Sequence, residues 1–174
     1  MSVLGKRSLL ALLEARPPLV EGLLAPLEQV QPNGIDLTLR EIASLCSRGQ
    51  IGVANTERRL SGLTPMSLPD HDYLDLTPGS YLITFNEIVH LPKDIMALGR
   101  PRSSLLRCAV NIHTAVWDAG YEGRSQALLV VNNPHGFRLT RNARLMQLVF
   151  IRLTEETPEG YSGIFQRENI SQGG

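Results

Sequence analysis

From Gln31 onward the chain is built of short runs of Val, Ile, Leu, Tyr and Thr separated by glycine, proline and asparagine. The runs are Ile35 to Leu39, Tyr81 to Phe85, Ile95 to Gly99, Ala127 to Asn132, Phe137 to Leu139 and Leu145 to Leu153. β-Branched and aromatic side chains suit a pleated, half-buried surface, and the punctuation supplies turns. Many short strands with such loops predict an all-β sandwich or barrel. The N-terminal segment differs. Ser8 to Ala15 reads as a short amphipathic helix ended by Pro17-Pro18, Leu19 to Leu27 as a second short helical turn, and Gln31-Pro32-Asn33-Gly34 as a tight turn. Ser47 to Asp72 is polar with weak periodicity and is expected as a long loop or irregular hairpin, and Ser103 to Arg107 as one helical turn between strands. The stretch after Pro158 is polar and glycine-rich, which predicts a mobile tail unless something binds it. No repeat or linker interrupts the chain, so residues 1–174 are expected as one domain, with a helical segment at 1–30 and a flexible tail or lid at 158–174.

A hydrophobic share of 43% supports a core without disulfide or metal staples. Lys+Arg and Asp+Glu both number 17, and this neutrality argues against nonspecific nucleic-acid binding, which needs a positive excess. No segment approaches the roughly 20 apolar residues of a membrane span. Lys6 and Arg7 precede an apolar run as in a secretory signal, but Glu14 and Arg16 interrupt it, so a cytoplasmic protein is expected. Cys46 and Cys108 form no C-x-x-C pair and read as two buried thiols, and His71, His90, His113 and His135 lack zinc-site spacing. The only lysines are Lys6 and Lys93, so nearly every cation is an arginine, a residue suited to bidentate phosphate binding.

Three segments concentrate polar residues. Arg100-Pro101-Arg102-Ser103-Ser104-Leu105-Leu106-Arg107 combines a helical turn, hydroxyls and guanidinium forks, the parts of a phosphate cradle or of a plain capped loop. Thr114-Ala115-Val116-Trp117-Asp118-Ala119-Gly120-Tyr121-Glu122-Gly123 leads an apolar run to one carboxylate and a tight turn. Such a hairpin could wrap a planar base with its backbone and pack Tyr121 on a sugar, or be an ordinary Asp-capped turn. In the third, Gln147 interrupts a strand, and Tyr161, Gln166 and Arg167 lie on a tail able to close over an anion.

The order of these segments resembles the superfamily shared by trimeric dUTPases and dCTP deaminases. QPNGIDL at Gln31 to Leu37 looks like its first motif, PRSSLLR at Pro101 to Arg107 its second, TAVWDAGYEG at Thr114 to Gly123 its third, NARLMQLVF at Asn142 to Phe150 its fourth, and YSGIFQREN at Tyr161 to Asn169 a shortened fifth. The N-terminal helix is closer to the deaminase branch. The resemblance implies a mainly β, dUTPase-like distorted barrel or jelly roll that assembles as a homotrimer with intersubunit sites. It implies hydrolysis of dUTP to dUMP and pyrophosphate with Mg²⁺ carried on substrate phosphates and water, without direct protein ligands. By that resemblance Asp118 is the catalytic carboxylate. Arg102, Ser103, Ser104, Arg107, Gln147, Tyr161, Gln166 and Arg167 bind phosphates. The backbone of Thr114, Ala115, Val116 and Trp117 reads the base, Tyr121 faces the deoxyribose, and Asp36 supports the site.

Deaminases of this superfamily carry a catalytic Glu ten residues beyond the third-motif Asp. The same count from Asp118 reaches Leu128, within Arg124 to Asn132, which holds no carboxylate. Trp117 also replaces their usual basic residue. Exchanging a 4-amino group requires a proton shuttle that leucine cannot provide. Hydrolysis of dUTP is therefore the expected activity, with dCTP deamination, alone or combined with it, and a non-catalytic nucleotide-binding module as alternatives.

Overall fold

The computed structural model describes residues 1–170; the last four residues of the expected tail, 171–174, lie outside them. In chain order the elements are β1 (Ser2–Val3), α1 (Lys6–Leu13), β2 (Val20–Glu21), α2 (Pro26–Gln29), β3 (Val30–Gln31), β4 (Gly34–Leu45), a 3₁₀ turn at Asn55–Glu57 and β5 (Leu63–Pro65). There follow β6 (Leu74–Leu76), β7 (Gly79–Phe85), β8 (Ile88–His90), β9 (Ile95–Pro101), α3 (Ser103–Arg107), β10 (Val110–His113) and β11 (Val116–Trp117). The chain continues through β12 (Glu122–Gly123), β13 (Gln126–Val131), β14 (Phe137–Leu139) and β15 (Arg144–Arg152).

The main sheet runs in the order β10, β13, β7, β4, β15, β9, β11. Its pivot is β4. Residues Ile35 to Thr38 pair with β15, and beyond an irregularity between Leu39 and Glu41 the same strand pairs with β7. A bulge bends and over-twists a strand, so β4 curls the sheet around one core. That core takes Ile35, Leu37 and Leu39 from β4, Ile83 and Phe85 from β7, Ile95 and Ala97 from β9, Leu129 from β13 and Met146, Leu148 and Phe150 from β15. Alternation is clear on β13, where Ala127, Leu129 and Val131 are buried while Gln126, Leu128 and Val130 face the other side, half-buried.

Three expectations are corrected. The helical turn expected over Leu19 to Leu27 is split: Val20–Glu21 is extended and pairs with β8, and only Pro26–Gln29 is helical, opened by a proline whose φ is preset for the first turn. Helix α1 starts and ends two residues earlier than read. Both cysteines are exposed rather than buried, because Cys46 follows the free end of β4 and Cys108 caps α3 at the surface. The 47–72 stretch is an irregular hairpin, held by a Gln50–Arg59 bridge and by β5 against β4. No helix among the described residues is long and apolar enough to cross a membrane.

A buried polar knot ties the N-terminal segment to the sheet. Glu87 is completely inaccessible, and its Oε1 accepts from Gln29 Nε2 (2.7 Å) and Thr38 Oγ1 (2.6 Å) while Oε2 accepts from the Thr38 amide (2.9 Å). Gln29 also donates to the Asp36 carbonyl (2.9 Å). Burial pushes the Glu87 carboxyl above its ordinary pKa, opposed by these bonds. Asn86 extends the knot by donating to Thr38 Oγ1 (2.9 Å) and the Leu39 carbonyl (3.1 Å) where β4 is irregular.

Candidate active site

Strand β11 pairs antiparallel with β9, setting Trp117 opposite Ala97 and Val116 opposite Leu98. The strand alternates as its pleat requires, with Trp117 buried and Val116 exposed. Asp118 follows on the surface, and the chain reverses through Gly120, whose φ of +83° suits glycine. A Cβ at Gly120 would also lie 2.9 Å from Gly160 Cα, because the tail crosses the turn there. The far side of the turn is anchored by Leu91, whose amide donates to the Tyr121 carbonyl (2.8 Å), and by β12 on β8.

This hairpin forms one wall of a cavity of about 530 Å³ lined by Ala115, Val116, Trp117, Asp118, Tyr121, Ser125 and Gln126, by Leu45, Leu60, Ser61, Leu63 and Leu82 of the sheet side, and by Tyr161, Phe165 and Glu168 of the tail. The size is that of a small-molecule site, predominantly apolar with a few polar groups. Tyr121 is buried and its ring meets Tyr161 edge-on, with centroids 5.8 Å apart and 65° between planes. Its hydroxyl donates to Glu168 Oε1 (2.8 Å). Burial foremost, then the Glu168 carboxylate, raises the Tyr121 phenol far above its usual pKa, so it stays a neutral donor. Burial likewise raises the Glu168 carboxyl, opposed by that bond. Ser125 Oγ is buried and has no hydrogen-bond partner among the described residues.

Residues 161–168 of the tail lie against the hairpin. Tyr161 N–H donates to the Ala119 carbonyl (2.8 Å), Arg167 N–H to the Glu122 carbonyl (2.7 Å) and Arg124 N–H to the Glu168 carbonyl (2.9 Å). Gln166 spends both ends of its amide on the hairpin: Nε2 donates to the Gly120 carbonyl (2.9 Å), and Oε1 accepts from the Glu122 amide (3.0 Å). Arg167 Nη2 lies 3.7 Å from Glu122 Oε1. Among the tail residues assigned to phosphates, Tyr161 thus lines the cavity while Gln166 is a clamp.

The second-motif residues stand elsewhere. Arg102 immediately precedes α3 as its extended N-cap residue, Leu105 plugs that turn into the core, and Ser103, Ser104 and Arg107 are exposed. Arg102 Nε lies 3.2 Å from Oδ2 of the buried Asp36, and Arg144 Nη1 lies 3.7 Å from the same oxygen. Burial raises the Asp36 carboxyl, and Arg102 and then Arg144 pull it down. Gln147 sits in register between Asp36 and Arg100. Thr114 packs over Gly99, outside the cavity lining. Arg102 follows the end of β9, five positions beyond Ala97, the residue opposite Trp117. At about 3.3 Å per residue that is roughly 16 Å of main chain between the position facing Trp117 and the Arg102 backbone.

Sequence reasoning missed Ser125, Phe165 and Glu168 as lining residues. Phe165, one of the few apolar residues of a largely polar, glycine-rich tail, carried a visible signal; Ser125 and Glu168 carried none.

The chain is thus a β protein whose curled antiparallel sheet carries a cavity of small-molecule size at one hairpin, with an arginine patch beyond it. The chain belongs to the dCTP deaminase-like family, which residues 3–153 match. It is 46% identical over 171 residues to a Methanosarcina mazei protein named "Probable deoxyuridine 5'-triphosphate nucleotidohydrolase", covering 98% of this chain and 100% of that one. An Archaeoglobus fulgidus protein of the same name is 50% identical over 142 residues, covering 82% of this chain and 83% of the relative. Among solved structures, a 2'-deoxycytidine 5'-triphosphate deaminase from Agrobacterium tumefaciens shares the fold at a TM-score of 0.64 and 23% identity, over 85% of this chain and 47% of that chain.

Proposed function

We propose that this protein hydrolyses dUTP to dUMP and pyrophosphate. The observation that carries the reading is a cavity with one exposed hairpin carboxylate, Asp118, beside Tyr121, while the cavity-side strand β13 (Gln126, Leu128, Val130) bears no carboxylate. Relatives named for this activity at 46% and 50% identity support it. In the reaction Asp118 orients a water and accepts its proton, the water oxygen bonds to the α-phosphorus, and the bond from that phosphorus to the bridging oxygen breaks as pyrophosphate leaves. Arg102, Ser103, Ser104, Arg107, Gln147 and Arg167 are assigned to the phosphates, and Asp36 to holding Arg102 in place. Tyr121 is assigned to the deoxyribose, and the backbone of residues 114–117 to the base.

No group of three or more His, Cys, Asp and Glu side chains among the described residues could hold a metal ion. The family resemblance implies a cation carried on substrate phosphates and water, as Mg²⁺ commonly is. Bound in that way, Mg²⁺ would supply charge neutralisation to a triphosphate held by Arg102, Arg107 and Arg167. Chelation with EDTA is expected to lower turnover by about tenfold or more, with recovery on added Mg²⁺; full activity in EDTA would remove the ion from the reaction.

We assign the site to the junction between copies of the chain in a homotrimer, as the family resemblance implies; the roughly 16 Å of backbone between hairpin and arginine patch is consistent with that. Asp118→Asn and Arg102→Ala subunits, each inactive alone, should regain about a quarter of the activity on subunit exchange, as random mixing reassembles intact sites. No recovery would place both groups in one protomer's site. The activity itself is tested by incubation with dUTP and dCTP plus Mg²⁺. Formation of dUMP from dUTP alone is expected, whereas dUTP from dCTP would assign a deaminase. Ser125→Ala should raise KM about three- to tenfold with kcat unchanged, the loss of one neutral hydrogen bond of roughly 0.5–1.5 kcal/mol.

A further inference from the structure

We propose that Glu168, delivered by the tail, is the positioning residue for sugar selection: its carboxyl fixes the Tyr121 ring as the wall that a ribose 2'-hydroxyl would strike. The inference rests on the dUTPase reading and adds to it a residue outside the motif that carries Tyr121. Rejection of one extra hydroxyl by contact works only if the wall does not yield, since a pocket that relaxes by a fraction of an ångström admits the larger substrate. The Tyr121 ring is buried and meets Tyr161 edge-on, a contact with no directional bond. The directional restraint is at its tip, where the hydroxyl donates to Glu168 Oε1 (2.8 Å). Among the described residues, no other side chain hydrogen-bonds to the Glu168 carboxyl, and no cation pairs with it.

The backbone fixes where that carboxyl arrives. Glu168 bridges Gly123 in parallel, and its carbonyl accepts from the Arg124 amide (2.9 Å). Asn169 Nδ2 donates to the Arg124 carbonyl (2.9 Å) just beyond. Gly123 leaves the required gap. A Cβ there would overlap the Tyr121 hydroxyl oxygen and come within 3.2 Å of Glu168 Cγ. The phenol and the carboxyl both line the cavity, together with Asp118. The tail therefore carries a side chain that acts on the sugar wall without being part of the chemistry.

The test compares kcat/KM for dUTP and UTP in the full-length protein and in Glu168→Ala, Glu168→Gln, Tyr121→Phe and the Glu168→Ala/Tyr121→Phe double variant. Glu168→Ala and Tyr121→Phe should each reduce the dUTP preference by about fivefold or more, and the double variant no further than either alone. Glu168→Gln, whose amide oxygen accepts the same bond, should stay within about twofold of the parent. A fall in kcat/KM by equal factors for both nucleotides in Glu168→Ala would mean that the residue only docks the tail, and additive effects in the double variant would mean that the two groups act separately. Either result overturns the proposal. If the parent hydrolyses neither nucleotide, the dUTPase reading fails by itself. The same variants are then compared by the ratio of Kd values for dUTP and UTP, where an unchanged ratio overturns the role of Glu168.

Discussion

Asp118→Asn should lower turnover of dUTP by about 10²-fold or more, with KM nearly unchanged. The substitution keeps the side chain's size and one hydrogen-bonding oxygen, and removes only the capacity to accept a proton from water. The site offers no obvious substitute among the strand residues facing the cavity, since Gln126 and Ser125 are both neutral and Glu168 is held by the Tyr121 hydroxyl. Measured pyrophosphate release gives the result. A loss smaller than about threefold would show that the water is activated elsewhere.

The second large effect concerns stability. Glu87→Ala is expected to destabilise the protein by about 2–5 kcal/mol, because it removes three accepted bonds and leaves the Gln29 amide and the Thr38 N–H buried without their acceptor. Denaturation midpoints in urea, with slopes compared, measure this. The pH dependence has a definite sign. A carboxyl whose pKa is raised on folding gives a contribution that is fully present below its unfolded value and declines as pH rises through the folded one. The stability gap between wild type and Glu87→Ala should therefore narrow as pH is raised above the ordinary glutamate range, and a gap that widens instead would show the ionised form to be the better bound one.

What the sequence makes legible follows from the range of the forces involved. Period-two burial on β13 and the apolar runs of β7 and β15 are local, so their strands are visible in the residues themselves. Two-residue strands such as β2 and β12 exist only because a distant partner, β8, supplies their hydrogen bonds. The motif hairpin is equally local, which is why Asp118 and Tyr121 stand out. Glu168 is different. Its arrival at the cavity depends on main-chain pairing with Gly123, and polarity alone predicts only a loose tail. Glu87 hides for the same reason, since its partners Gln29 and Thr38 lie 58 and 49 residues away. The exposed Cys46 and Cys108 show the limit from the other side: an average tendency of cysteine to be buried says nothing about strand ends and helix caps.

The length of β9 has a consequence for how activity depends on concentration. If, as proposed, Asp118 of one copy works with the arginine patch of another, isolated protomers are inert, and hydrolysis begins only after copies associate. Mass action then sets a threshold: specific activity per chain falls on dilution below the dissociation range and returns on concentration, although no residue has changed.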